Sequence, residues 1–433
     1  MSVFTKTETC YIGRSLTDLA NNKLTSLFLG GEKILVKCKI YERMLILMLL
    51  VLVFNIDSAF ADSASATFTR PSPAYKIDGT QVPTDTPRYE AGKFGQAVMI
   101  EEGTTNLLLK SQEFNASIWS TGAGAAVAAD IAVAPDGTTT ADRLTIPANE
   151  VYPALRQFWT PANSNAHTLT IWARSATGTD QELDLYVFRL NPWSLAGNVR
   201  INVTPSWKRF TLTFSPLDMT QHVIWIGSHD SVSFASDVYL WGAQLENRGY
   251  PTTYMKTEES AATRSTEVLT IPTAGVLSET EATIEFIWTP QQPASGINNQ
   301  VSSPVILQIG NYYHNNSLVL WATNFEGGEG PALSLYLKGA TTTGWSRADN
   351  ILMSETGWYT VGSPIHFAIK WQNADTFYVA VNGVTHGPYT ISDPIASWAG
   401  GVMCLGNQGA SCNGNSNGLY DDLRISSFGV VSF

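Results

Sequence analysis

Apolar and polar residues alternate with a period of two through both halves of the chain beyond its first 61 residues, and this limits the fold more than any other feature. In His167-Thr-Leu-Thr-Ile-Trp-Ala-Arg174, Leu169, Ile171 and Ala173 fall on one side, while Thr168, Thr170, Trp172 and Arg174 fall on the other. Successive side chains of an extended chain point to opposite faces, so such a run reads as a strand with one face on a core. The pattern recurs at residues 209–214, with Phe210, Leu212 and Phe214 as the apolar set, and again at 283–288, 333–337 and 367–371. Gly, Pro, Asn and Asp separate these runs. Asn382-Gly383, inside the alternating stretch 377–386, supplies the two positive-φ positions of a type I′ hairpin turn. No 3.6-residue period persists for more than about ten residues in this part of the chain. The expected fold class is all-β, built from two antiparallel β-sandwiches in tandem.

The first 61 residues are of another kind. Residues 44–54, MLILMLLVLVF, are an unbroken apolar run of 11, preceded by Lys37, Lys39 and Arg43 and followed by Ala59-Phe-Ala61. A basic segment, a short apolar core and a small-residue end make an N-terminal signal peptide. Eleven helical residues reach roughly half of the ~30 Å hydrocarbon core, so no transmembrane anchor is expected. The mature chain is expected to be exported, either secreted into the extracellular space or held at the cell surface by contacts. The whole sequence has 26 basic against 37 acidic side chains, a net charge of -11, and residues 62–433 hold 19 against 32 of them. That balance argues against nucleic acid or an anionic membrane as the main partner. Cys10 and Cys38 fall in the leader. Cys404 and Cys412 can close a small disulfide in an oxidising compartment, with no nearby Cys or His to complete a metal site.

The polar, small-residue stretch Glu258-Glu-Ser-Ala-Ala-Thr-Arg-Ser-Thr marks a change of texture. A boundary at 258–272 divides the chain into a leader at 1–61, a first unit at 62–265 and a second at 266–433. In the first unit, Thr67-Phe-Thr-Arg70, Pro87-Arg-Tyr89, Gly95-Gln-Ala-Val-Met-Ile-Glu-Glu-Gly-Thr-Thr-Asn-Leu-Leu108 and Ser111 are followed by Val238-Tyr-Leu-Trp-Gly-Ala-Gln-Leu-Glu246, Pro251-Thr-Thr-Tyr254 and Thr263-Arg264. This order resembles phage and prophage virion-associated proteins, and the unit is similar to jelly-roll carbohydrate-binding modules. The second unit resembles LamG-like, concanavalin-A-like jelly rolls through Glu281-Ala-Thr-Ile-Glu-Phe-Ile-Trp288, His366–Trp371, Val381-Asn-Gly-Val384 and Gly418-Leu-Tyr-Asp-Asp-Leu-Arg-Ile425. The resemblance implies two jelly rolls after a signal peptide. The leader favours a cellular surface protein built from phage-like modules over a virion part.

Sugar rings present apolar C–H faces, so glycan sites set Trp or Tyr planes beside a few polar groups. Trp119, Trp159, Trp172, Trp193 and Trp225 are the candidate ligand-binding residues, with Trp241, Trp345 and Trp398 as additional possibilities. Core packing is the competing reading for each. Calcium is the expected metal, since it takes about six to eight oxygen ligands and the second unit has Asn413-Gly-Asn-Ser-Asn-Gly418 before Asp421-Asp422. Capping of backbone amides is the other reading of Asp421 and Asp422. No catalytic residues are assigned: the six histidines show no ligand spacing, and Glu182 and Asp184 share a face by spacing alone. The expected function is non-catalytic binding of a glycan or cell-surface polysaccharide. Self-assembly into a surface filament, layer or virion-like particle is the alternative, and polysaccharide cleavage the second.

Overall fold

The computed structural model describes residues 66–426, apart from 230–233, 295–303, 311–314, 324–331, 342–345, 349–357, 399–400 and 407–415. The proposed leader and Cys412 lie outside the described residues. Within them every regular element is a strand, every pairing is antiparallel, and no helix is long and apolar enough to cross a membrane.

The first sandwich packs two five-stranded sheets. One has the order Ser194–Val203, Gln181–Arg189, His222–Gly227, Ala154–Trp159, Ser120–Gly122; the other has Lys208–Phe214, His167–Ser175, Ser236–Glu246, Ala141–Ile146, Ala126–Ala132. Alternate residues meet between them: Leu183, Leu185, Val187, Ile224 and Ile226 from one sheet against Leu169, Ile171, Phe210, Leu212 and Leu240 from the other. Thr168 and Thr170, on the polar side of their strand, are also buried. Thr168 Oγ1 donates to the Arg248 carbonyl at 2.8 Å and Thr170 Oγ1 accepts from Arg209 at 2.8 Å, so the face expected to meet water is covered by polar partners.

The second sandwich has two seven-stranded sheets around Phe286, Trp288, Phe367, Ile369, Trp371, Leu318, Leu320 and Leu335. At its surface, Asn382 and Gly383 both have positive φ, 48° and 85°, in the turn between Thr376–Val381 and Val384–Thr390. Residues 67–101, grouped with the first unit on sequence texture, hydrogen-bond into both of these sheets. Thr67–Thr69 pairs with Val268–Pro272, Gly95–Glu101 pairs with Asn417–Ser426, and Arg88–Gly92 extends that edge. Ile100 belongs to the second core. A short ribbon of Thr104–Asn106 with Ala262–Arg264 then leads into and out of the first sandwich.

Around that ribbon lies a buried ionic network, and the residues that carry the first-unit resemblance build it. Glu267 accepts from Arg70 Nη1 at 2.6 Å, from Arg88 Nε at 2.8 Å and Nη2, and from the Glu101 amide at 3.0 Å. Glu101 pairs with Arg88 at 2.8 Å and Arg264 at 3.2 Å and accepts from the Thr253 hydroxyl at 2.6 Å. Glu246 accepts from the amide and hydroxyl of Thr252. Asn106 bridges the carbonyls of Ala243 and Met255, and Ser111 bonds the Tyr254 hydroxyl at 2.6 Å. Burial by itself would raise the pKa of Glu101, but Arg264, Arg88 and the Thr253 hydroxyl outweigh it and hold it at about 2.

Glu267→Ala leaves Arg70 and Arg88 buried without their shared counter-charge and should cost about 3–5 kcal/mol in a urea melt, where a change under about 1 kcal/mol would show the network to be dispensable. Because the folded pKa of Glu101 lies below its ordinary 4.5, its contribution is complete above that pH and is lost as pH falls toward 2. Thermal melts between pH 6 and pH 2 should therefore decline through that window, and Glu101→Gln should flatten the decline.

Candidate functional site, an aromatic sheet face

In the Gln181–Arg189 sheet, the residues that alternate with the core set form three rows on the opposite face. Across neighbouring strands Arg156 stands beside Trp225, Tyr186 and Asn198. Phe158, Val223, Phe188 and Leu195 make the second row, and Ala154, Gly227, Asp184 and Arg200 the third. The face is rich in rings. Trp193, from the turn at 190–193, stacks on Phe188 with centroids 4.8 Å apart and planes 22° apart. His229 stacks on Tyr152 at 4.7 Å and on Tyr186 at 4.6 Å. The Arg156 guanidinium lies 3.9 Å from the centroid of Trp225.

The rings differ in access. Trp193 is 53% exposed, and Phe158, Leu195 and Tyr152 are exposed as well, whereas Phe188 and Trp225 are buried. The charged groups at the edge are tied down. Asp184, itself buried, takes Arg200 through two bonds of 2.7 and 3.0 Å and the His229 amide at 3.1 Å, while Glu182 sits 3.8 Å from the same arginine. Gly122 lies under Arg156: a Cβ there would come within 2.6 Å of its Nη2, so glycine lets the guanidinium lie flat across the neighbouring strand.

The five candidate tryptophans therefore separate. Trp193 and Trp225 share the aromatic face, with ring centroids 6.4 Å apart. Trp119 is buried in the first core, edge-on to Phe114, with its Nε1 donating to the Lys110 carbonyl at 3.0 Å. Trp159 is buried in that core against His167 and Phe214. Trp172 lies on the outer side of the other sheet, half-buried against the group containing Trp241 and Tyr254. Sequence reading missed Arg156, Phe158, Tyr186, Phe188 and His229. The signal available was parity: Tyr186 and Phe188 alternate with Leu183, Leu185 and Val187, and so cannot share their core.

Asp421 and Asp422 have separate commitments. Asp421 Oδ2 accepts the Phe94 amide at 2.8 Å, and Asp422 is paired with Arg424 at 2.8 Å. No group of three or more His, Cys, Asp or Glu side chains able to hold a metal occurs among the described residues. Asn413, Asn415 and the rest of that loop up to residue 415 lie outside them. Cys404 is buried and disulfide-bonded.

No protein-family model matches the chain, and no curated protein matches its sequence. Among solved structures, it is similar to the CBM22-1-CBM22-2 tandem domain of Xyn10C from Paenibacillus barcinonensis, at 10% identity over 76% of this chain and 99% of that one, with a TM-score of 0.29. It is also similar to domain 4 of AbnA, a GH43 extracellular arabinanase from Geobacillus stearothermophilus solved with arabinotriose, at 17% identity over 42% and 77% of the two chains, with a TM-score of 0.26. Mouse laminin alpha1 domains LG4-5 match at 10% identity over 63% and 86%, with a TM-score of 0.23.

The difference between core and face tryptophans can be measured. Trp119→Ala should cost about 3–5 kcal/mol in denaturant unfolding, because it empties a packed site. Trp193→Ala should cost under about 1 kcal/mol, as befits an exposed ring. Equal costs would mean that Trp193 is structural.

Proposed function

We propose that this protein is a non-catalytic glycan-binding protein whose site is the aromatic face of the first sandwich, with Trp193 as its main stacking platform. The observation that carries this reading is Trp193, an exposed ring stacked on a group of half-buried and buried rings on one sheet face. Burying apolar side chains is the main stabilising term in a fold, so rings left contiguous and open at a surface mark an interaction site. Flat, sequence-tolerant ring faces suit the C–H face of a sugar, and edge groups such as Asn198 can meet its hydroxyls.

The state of the acids favours binding over cleavage. Glycoside hydrolysis uses one carboxyl group to donate a proton and a second to attack or to activate water. Both acids of the Gln181–Arg189 strand are instead close to Arg200, and Asp184 is fully engaged. Export to the cell exterior is part of the proposal, supported by the apolar run 44–54 with its basic flank and Ala59-Phe-Ala61 end.

The test is a glycan array with the purified chain, followed by titration of the best sugar with tryptophan fluorescence as readout. Binding should be seen, and Trp193→Ala should weaken it by about tenfold or more, the loss expected for one stacked ring. A silent array, or full affinity in the Trp193→Ala variant, would reject the platform.

A further inference from the structure

Arg156 is a cation without a counter-charge among the described residues. It lies on the ligand-facing side of the sheet, with its guanidinium against the ring of Trp225 and above the bare backbone of Gly122. Its Nη2 donates to the Tyr152 carbonyl at 3.2 Å, and among the described residues its buried Nε has no hydrogen-bond partner and no carboxylate pairs with it. Burial lowers its pKa. Other arginines near this face are answered: Arg200 by Asp184 and Arg189 by Asp218 at 2.8 Å.

A half-buried guanidinium that has given up water without gaining an anion is destabilising unless something else compensates. Here the compensation within the chain is a ring face and one carbonyl. Both hold the group in place, and neither carries a full negative charge. A planar fork of N–H groups matches a carboxylate in two-point geometry.

We propose that Arg156 recognises the carboxylate of an acidic sugar, so that the face prefers glycans containing uronic acid over neutral ones. The inference rests on the glycan-binding reading above and narrows its substrate class. Trp193 and its neighbours supply stacking that neutral and acidic sugars share. Arg156 supplies the part that distinguishes them. Because the chain as a whole is acidic, the preference must come from this local contact and not from long-range attraction.

The experiment uses the whole chain and pairs of oligosaccharides that differ only in charge: oligogalacturonate and oligoglucuronate, each beside its carboxyl-reduced, neutral form. Calorimetry or fluorescence titration should show at least one acidic member binding about tenfold or more tightly than its reduced counterpart, the gain expected of a charge-assisted hydrogen-bonded pair. In Arg156→Gln and Arg156→Met that ratio should fall toward one. In Trp193→Ala both members of the pair should weaken together. Equal affinity for acidic and reduced forms, or a preference kept by both Arg156 variants, overturns the inference while leaving glycan binding intact. A preference for sulfated sugars with none for uronates also overturns it. Silence toward every sugar, charged or neutral, overturns the platform and the inference together. Circular dichroism of each variant separates loss of binding from loss of fold.

Discussion

Glu267 accepts hydrogen bonds from two arginines and from a backbone amide, in a place that water does not reach. An isolated carboxylate or guanidinium in such a place would be strongly destabilising, so each member of this network is tolerable only while its partners are present. The partners come from distant parts of the chain: Arg70 and Arg88 before the first sandwich, Thr252 and Thr253 after it, and Arg264 and Glu267 at the entry to the second. The positions of the two sandwiches are thereby coupled through charge. A hydrophobic contact tolerates sliding, whereas a set of directional ion pairs tolerates only the register in which all of them are made.

The same logic in reverse describes the aromatic face. In the junction Arg70, Arg88 and Arg264 are each paired with a carboxylate. On the outer side of the Gln181–Arg189 sheet, Trp193 is left facing solvent and, among the described residues, Arg156 Nε has no partner. Arg189 and Arg200, near the same face, are each paired with an acid. The strands beneath are rigid, with Leu183, Leu185 and Val187 fully buried on the core side. Tyr186, Phe188 and Trp225, carried on such strands, are held in fixed spacing beneath Trp193.

Much of the fold was legible because strand parity is a local property. The alternation at 167–174 and 209–214 and the Asn382-Gly383 turn can be read from a few adjacent residues. The fate of an individual tryptophan cannot. Trp225 has outward parity but is covered by Arg156, which lies far away in sequence, and Trp119 is buried by an edge-on contact with Phe114. Parity also does not say which sheet will receive a strand: 95–101 reads the same whether it joins the first sandwich or, as it does, the second. The recognisable residues from Arg70 to Arg264 looked like the signature of a surface module. Their work is mutual neutralisation, which becomes visible only when positions more than 150 residues apart are brought within 3 Å, as in Arg70 with Glu267 and Thr253 with Glu101.

The pairing of Gly95–Glu101 with Asn417–Ser426 has a consequence for how the chain is made. A ribosome or a translocation channel delivers the N-terminal strands hundreds of residues before their partner exists. Until then Gly95–Glu101 lacks its neighbour on that side, and an unpaired strand edge is a template for association with other chains. The first sandwich has all ten of its strands between residues 120 and 246 and can close early. The second closes only when the last segment arrives. A chain that stops short of residue 417 therefore keeps an open edge at its beginning as well as at its end, which makes completeness of synthesis a condition for solubility at both termini.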